Sequence, residues 1–105
     1  MADQEFGEQL GSAWALHRQG HNESAIREFS SLLQVSNDNI DALYGIALAQ
    51  RSAGELEEAK TTFARCLVQI DEALKANPGE DRYEMLKKMV TQRLAELKGG
   101  ASGSQ

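Results

Sequence analysis

The 105-residue chain has one cysteine, one proline and only 6% aromatic residues. A lone Cys66 excludes an internal disulfide and a thiolate metal cluster, and is compatible with a reducing compartment. Scarce proline, with abundant Ala, Leu, Glu, Gln and Lys, leaves long stretches without breakers and favours helix. No stretch approaches the roughly 18 consecutive apolar residues of a membrane span, so no membrane partner is expected. The opening MADQEFGEQL lacks a basic region followed by an apolar run, so no secretory signal is visible and a cytoplasmic location is the default expectation. Positive charge is also short. Eleven Lys and Arg against 16 Asp and Glu give a formal charge of −5, whereas a nucleic-acid binder normally presents a basic face. Alternation with period two is missing over any useful length, so no strands are expected.

What is present is helical periodicity cut by Gly, Asn and Pro. With 41% hydrophobic and 26% charged residues, the chain reads as one small globular domain. The first helix is expected over 4–19, with Asp3 as N-cap and Gly20 as the left-handed stop. Phe6, Leu10, Ala13 and His17 share a stripe on it, with Trp14 beside them. The second is expected over 23–35 with Asn22 as N-cap, burying Ala25, Ile26, Phe29, Leu32 and Leu33. SNDN at 36–39 reads as a loop of residues that bond their own backbone, and Asn39 caps a third helix over 40–52 with Leu43, Ile46 and Ala47 inward. A fourth helix from Glu55 meets no breaker until Asn77-Pro78, and its stripe is Leu56, Ala59, Phe63, Leu67, Ile70 and Leu74. A fifth, over 80–98, carries Tyr83, Leu86, Val90, Leu94 and Leu97 and is expected to stop at Gly99-Gly100. The glycine-rich GGASGSQ beyond it reads as a flexible tail.

The chain repeats itself. GHNESAIREF at 20–29 returns 34 residues later as GELEEAKTTF at 54–63, with Gly, Glu, Ala and Phe at the same offsets. Ala13/Ala47, Ala15/Ala49 and Leu33/Leu67 match at the same spacing. A fixed period in this range marks stacked supersecondary units. Two helices per 34 residues with a glycine turn between them resemble the tetratricopeptide repeat. Counted from Ile40, the second copy places Ala47, Gly54, Ala59, Phe63 and Cys66 where that family has its small, glycine, small, aromatic and small positions.

The resemblance implies an all-α fold of antiparallel helix-turn-helix repeats, about five helices with no strands. Residues 1–5 would be an extension, 6–39 the first repeat and 40–78 the second. Residues 79–98 would form a solvating capping helix and 99–105 a tail. The first copy departs at Gln9 and Ser12, where the family prefers large apolar groups, its stripe having moved onto Leu10 and Trp14. The family's usual proline would fall at Asp71, yet the proline is Pro78, so two extra turns lengthen the fourth helix.

Chemistry is thinly represented. His17 and His21 flank Gly20, with no carboxylate or cysteine in ligand spacing, so they read as exposed or turn-stabilising residues rather than a metal site. Cys66 falls on the buried stripe and reads as packing. Glu55, Glu57 and Glu58 suit the positive end of a helix dipole. No phosphate loop, nucleophile elbow or zinc signature is present, so a non-catalytic protein with no cofactor is expected.

In the resembled family, the first helix of each repeat lines a concave groove for a peptide or partner helix. The groove positions would be Gly7, Leu10, Trp14 and His17, then Asp41, Tyr44, Leu48 and Arg51. Leu10, Trp14, Tyr44 and Leu48 make a mostly apolar strip, so an apolar or amphipathic segment of another protein is the expected partner. Leu10 and Trp14 fill the positions of the clamp that grips acidic chaperone tails, which disfavours that ligand. Trp14 keeps two readings, core residue or binding anchor. Self-association is the alternative function, because two repeats fall short of the three that usually make a stable stack, and a homodimer would bury the groove and the long helix.

Overall fold

A computed structural model describes the backbone of residues 2–36 and 39–103, and the side chains of 6–36 and 39–98. Among these residues the elements are five helices: α1 (Ala2–Arg18), α2 (Asn22–Val35), α3 (Ile40–Ser52), α4 (Leu56–Ala76) and α5 (Asp81–Gly103). No strand occurs among them. Each helix packs on the next, and α1 also touches α3. Helices α1 and α3 therefore lie side by side, and α5, packed on α4, reaches α3 through Glu96 and Arg51. The shortest principal extent, 19 Å, fits two helix layers.

The two repeated glycines do the same work twice. Gly20 and Gly54 both adopt φ +85°, a left-handed conformation that β-carbons disfavour. After α1, the His21 N–H donates to the Leu16 carbonyl at 2.9 Å and the Gly20 N–H to that of His17 at 3.0 Å. After α3, the Glu55 N–H donates to Gln50 at 2.9 Å and the Gly54 N–H to Arg51 at 3.1 Å. Both turns satisfy the last carbonyls of their helix in the same double pattern. The sequence repeat is thus a repeat of backbone geometry.

Several boundaries differ from expectation. Helix α1 begins at Ala2, so Asp3 lies inside the helix rather than at its cap, and residues 2–5 continue it. Asn22 is the first residue of α2, with His21 in the cap position and no side-chain cap bond. Glu55 caps α4 by position and likewise makes no side-chain bond. Asn39 does cap α3, accepting from the Ala42 N–H at 2.8 Å, while its loop neighbours Asn37 and Asp38 lie outside the described residues. Helix α5 runs through Gly99-Gly100 to Gly103, because two glycines weaken a helix without removing its N–H donors. Ser104 and Gln105 lie outside the described residues. Leu56, expected inward, is the first residue of α4 and is 47% exposed.

Two cores meet at α3. Ala13, Ala25, Phe29, Leu32, Ala42, Ile46 and Ala49 form the first. Leu43, Ala47, Ala59, Phe63, Cys66, Ile70 and Val90 form the second. Helix α3 supplies small residues to both, so both neighbours approach it closely. Gly45 is the extreme case. A β-carbon there would collide with the ring of Phe29, so the ring lies directly on the bare α3 backbone. The lengthened α4 is covered by α5: Ile70 is fully buried, and Leu74, Tyr83 and Leu86 pack against the same core. Lys87 Nζ, 3.0 Å from Asp71 Oδ1, ties the pair on the outside.

Gly45→Ala should lower stability by about 1–3 kcal/mol through overpacking against Phe29, although Ala is the better helix former by about 1 kcal/mol. Gly11→Ala, exposed and with nothing within 4 Å of the added carbon, should raise stability by about 1 kcal/mol. Urea denaturation of the two variants checks the opposite signs. A gain in both would show that Phe29 does not need the bare backbone.

Candidate functional site

Four aromatic rings form a chain of contacts, Trp14 of α1 and Tyr44 of α3 standing over Phe29 of α2 and Phe63 of α4. Trp14 meets Phe29 edge-on, with centroids 5.0 Å apart and planes at 77°. It lies 6.3 Å from Tyr44, which lies 6.1 Å from Phe63. Phe29 and Phe63 are fully buried, while Trp14 and Tyr44 are half-buried. Edge-on and tilted pairs at such distances are favourable beyond the area they bury. Trp14 packs on the first core without being fully enclosed. Leu10 lies one turn before Trp14 and Leu48 one turn after Tyr44, both half-buried. Of these four expected residues Trp14 and Tyr44 are in ring contact, while Leu10 packs against the first core and Leu48 against the second.

The other expected positions divide. Gly7 stands at the α1 edge, and a β-carbon placed on it would meet nothing within 4 Å, so that wall is low. His17 packs edge-on against Trp14 at 5.9 Å, half-buried, with its Nδ1 enclosed and without a partner. It is less exposed than expected, whereas His21 is exposed in the turn. Arg51 Nη1 reaches across to Glu96 of α5 at 4.0 Å. Asp41 lines a polar cavity of about 370 Å³ with Asn39, Glu72, Arg82 and Tyr83.

Helix α5 adds residues that the two-repeat pattern leaves out. Met85, Met89, Arg93 and Glu96, spaced four, four and three, share one stripe of α5. Glu96 lies 4.0 Å from Arg51, so this end of the stripe approaches α3. Met85 is 62% and Met89 39% exposed. Two exposed methionines one turn apart, off the stripe of Tyr83, Leu86 and Val90, were the sequence signal for them.

A family model described as tetratricopeptide repeat matches residues 16–90. The chain belongs to that family. No curated protein and no solved structure matches it. The tetratricopeptide match begins near the end of α1 and reaches into α5, spanning the glycine turns, both core phenylalanines and the lengthened α4. Membership points to a protein-interaction module.

Cys66 lies in the second core with no solvent exposure, its thiol donating to the Ile40 carbonyl at 3.8 Å. Burial, then the Asp41 carboxylate, pushes the thiol up from 9.0 to about 12. It stays protonated and unreactive in the folded chain. Among the described residues no group of three His, Cys, Asp or Glu could hold a metal ion, and no helix is long and apolar enough to cross a membrane.

Trp14→Ala should cost about 2–4 kcal/mol, since it removes a ring packed on Phe29 and Tyr44; chemical denaturation measures this. For Cys66 the sign follows from its raised value. Above pH 9.0 the unfolded chain loses the thiol proton while the folded chain keeps it up to about 12. Stability should fall across that window by up to about 1.4 kcal/mol per pH unit. Cys66→Ala should lack this slope, and a thiol reagent at neutral pH should label the wild type only on unfolding.

Proposed function

We propose that the tetratricopeptide chain is a non-catalytic adaptor whose α1–α3–α5 side binds an apolar or amphipathic segment of another protein. One observation carries the reading: half-buried Trp14 and Tyr44 are in ring contact across α1 and α3, and α5, whose Glu96 reaches Arg51 of α3, carries exposed Met85 and Met89. Aromatic anchors in a polar rim are the usual composition of a binding hot spot, and methionine adapts its shape to a partner. The rings are held by the core, so little order is lost when a ligand arrives.

A photo-crosslinking residue at position 89 should join the chain to a different polypeptide in extract of the cells that make it, whereas one at position 68 should not. Met85→Asp with Met89→Asp should leave the thermal midpoint within a few degrees, because both side chains are exposed, and weaken capture roughly tenfold or more. Crosslinks from position 89 to a second copy of the chain would replace the adaptor with self-association. Equal crosslinking from both positions would remove the strip as the site.

A further inference from the structure

Counting back 34 residues from Gly45 reaches Gly11. On α3, Ala42, Gly45, Ile46 and Ala49 form one face and are all buried. Ala42, Ile46 and Ala49 share the first core with Ala25, Phe29 and Leu32 of α2, and the Phe29 ring lies on Gly45. The same face one repeat earlier is Glu8, Gly11, Ser12 and Ala15 of α1. There Glu8, Gly11 and Ser12 are exposed, Ala15 is half-buried, and a β-carbon built on Gly11 meets nothing within 4 Å. Helix α1 packs on α2 and α3, with Phe6, Leu10, Ala13 and Trp14 as its share of the first core. A glycine inside a helix destabilises it unless the missing side chain is put to use. At Gly45 the ring of Phe29 uses it. Gly11 presents the same bare backbone with no ring on it.

We propose that this face of α1 receives a helix of another protein in the way the α3 face receives α2. The α2–α3 interface sets the chemistry of that helix. A short loop joins the end of α2 to the start of α3, so the two run antiparallel and residues after Phe29 lie towards the start of α3. Transposed to α1, the incoming helix places an aromatic ring on Gly11. A small residue four positions earlier, as Ala25 is to Phe29, falls on Ala15. Three positions after the ring, where α2 has Leu32, a lysine or arginine meets Glu8, which stands where α3 has Ala42. A second copy of the chain does not supply such a helix. Phe29 and Phe63 are fully buried, and Phe6, Trp14, Tyr44 and Tyr83 each pack on a core, so no ring is free to seat on a neighbour's Gly11. The face is separate from the strip, since Leu10, Trp14 and His17 lie about 140° around α1 from it.

The probe is a synthetic copy of α2, residues 22–35, carrying Leu32→Lys, blocked at both ends and stapled on its outer side to hold the helix. Added to the isotope-labelled chain, it should shift the Gly7, Gly11 and Ala15 amide signals saturably, with half-saturation below about 1 mM. The same peptide with Phe29→Ala should bind about tenfold or more weakly. In the protein, Gly11→Leu is an exposed change to a better helix former, so it should keep the fold and lose the peptide. Glu8→Gln should weaken binding about threefold. Met85→Asp with Met89→Asp should leave it unchanged, which separates this site from the strip. No saturable shift up to about 1 mM, undiminished binding to the Gly11→Leu chain, or shifts centred on Trp14 or Gly45 would overturn the proposal. A concentration-dependent dimer of the unmodified chain that Gly11→Leu abolishes would give the face to a second copy and overturn the partner.

Discussion

The ring of Phe29 resting on the bare backbone of Gly45 is the contact on which the rest of the molecule depends. It brings α2 against α3 closer than any side chain at position 45 would allow. Ala42 and Ala49, small and fully buried on the same helix, keep the approach close along its length. A two-repeat array has one junction between repeats, and this contact is at that junction. Interiors pack at the density of organic crystals, so a ring seated this tightly fixes the relative placement of everything attached to it.

From Phe29 the constraint passes to the surface. Trp14 stands edge-on to Phe29, Tyr44 leans towards Trp14, and Phe63 lies beneath Tyr44 in the second core. The two cores are thus joined through the half-buried rings of the strip as well as through α3. Rings held this way are preorganised, because they cannot turn without disturbing a core. The same coupling makes the strip inseparable from stability at Trp14, and separable from it at Met85 and Met89, which show most of their surface to solvent or sit at the edge. Mutational tests of binding therefore belong on α5.

The sequence made the repeat legible because glycine turns and interior alanines obey local rules. Gly20 and Gly54 are at the same φ with the same pair of hydrogen bonds, and Ala13, Ala25, Ala47 and Ala59 are all fully buried. Gly45 was not legible. A glycine inside a helix reads only as a weakness until the residue above it is known, and Phe29 lies in the preceding repeat. Helix ends were legible where a side chain makes the cap, as at Asn39, and blurred where backbone alone does it, as at Asn22 and Glu55. Leu10, Trp14, Tyr44 and Leu48 could be placed together from the 34-residue spacing, while Asp41 turned towards a polar cavity because Arg82 and Tyr83 of α5 close over that end of α3. The α5 border was missed because no third copy of the pattern points to it.

Helix α5 does two jobs that pull on different stripes. Its Val90, Leu86, Leu94 and Tyr83 face the second core and cover the two added turns of α4, where Ile70 would otherwise be exposed. That duty alone would be met by a helix polar everywhere else, as solvation at the end of an array demands. The stripe of Met85, Met89, Arg93 and Glu96 is not polar everywhere, and its carboxylate reaches back to α3. Exposed methionine lowers solubility without contributing to the core, so covering α4 does not account for it. The added turns of α4 lengthen the seat on which α5 lies. In this chain, the helix that closes the array is also one that keeps exposed methionines and an ion pair to α3.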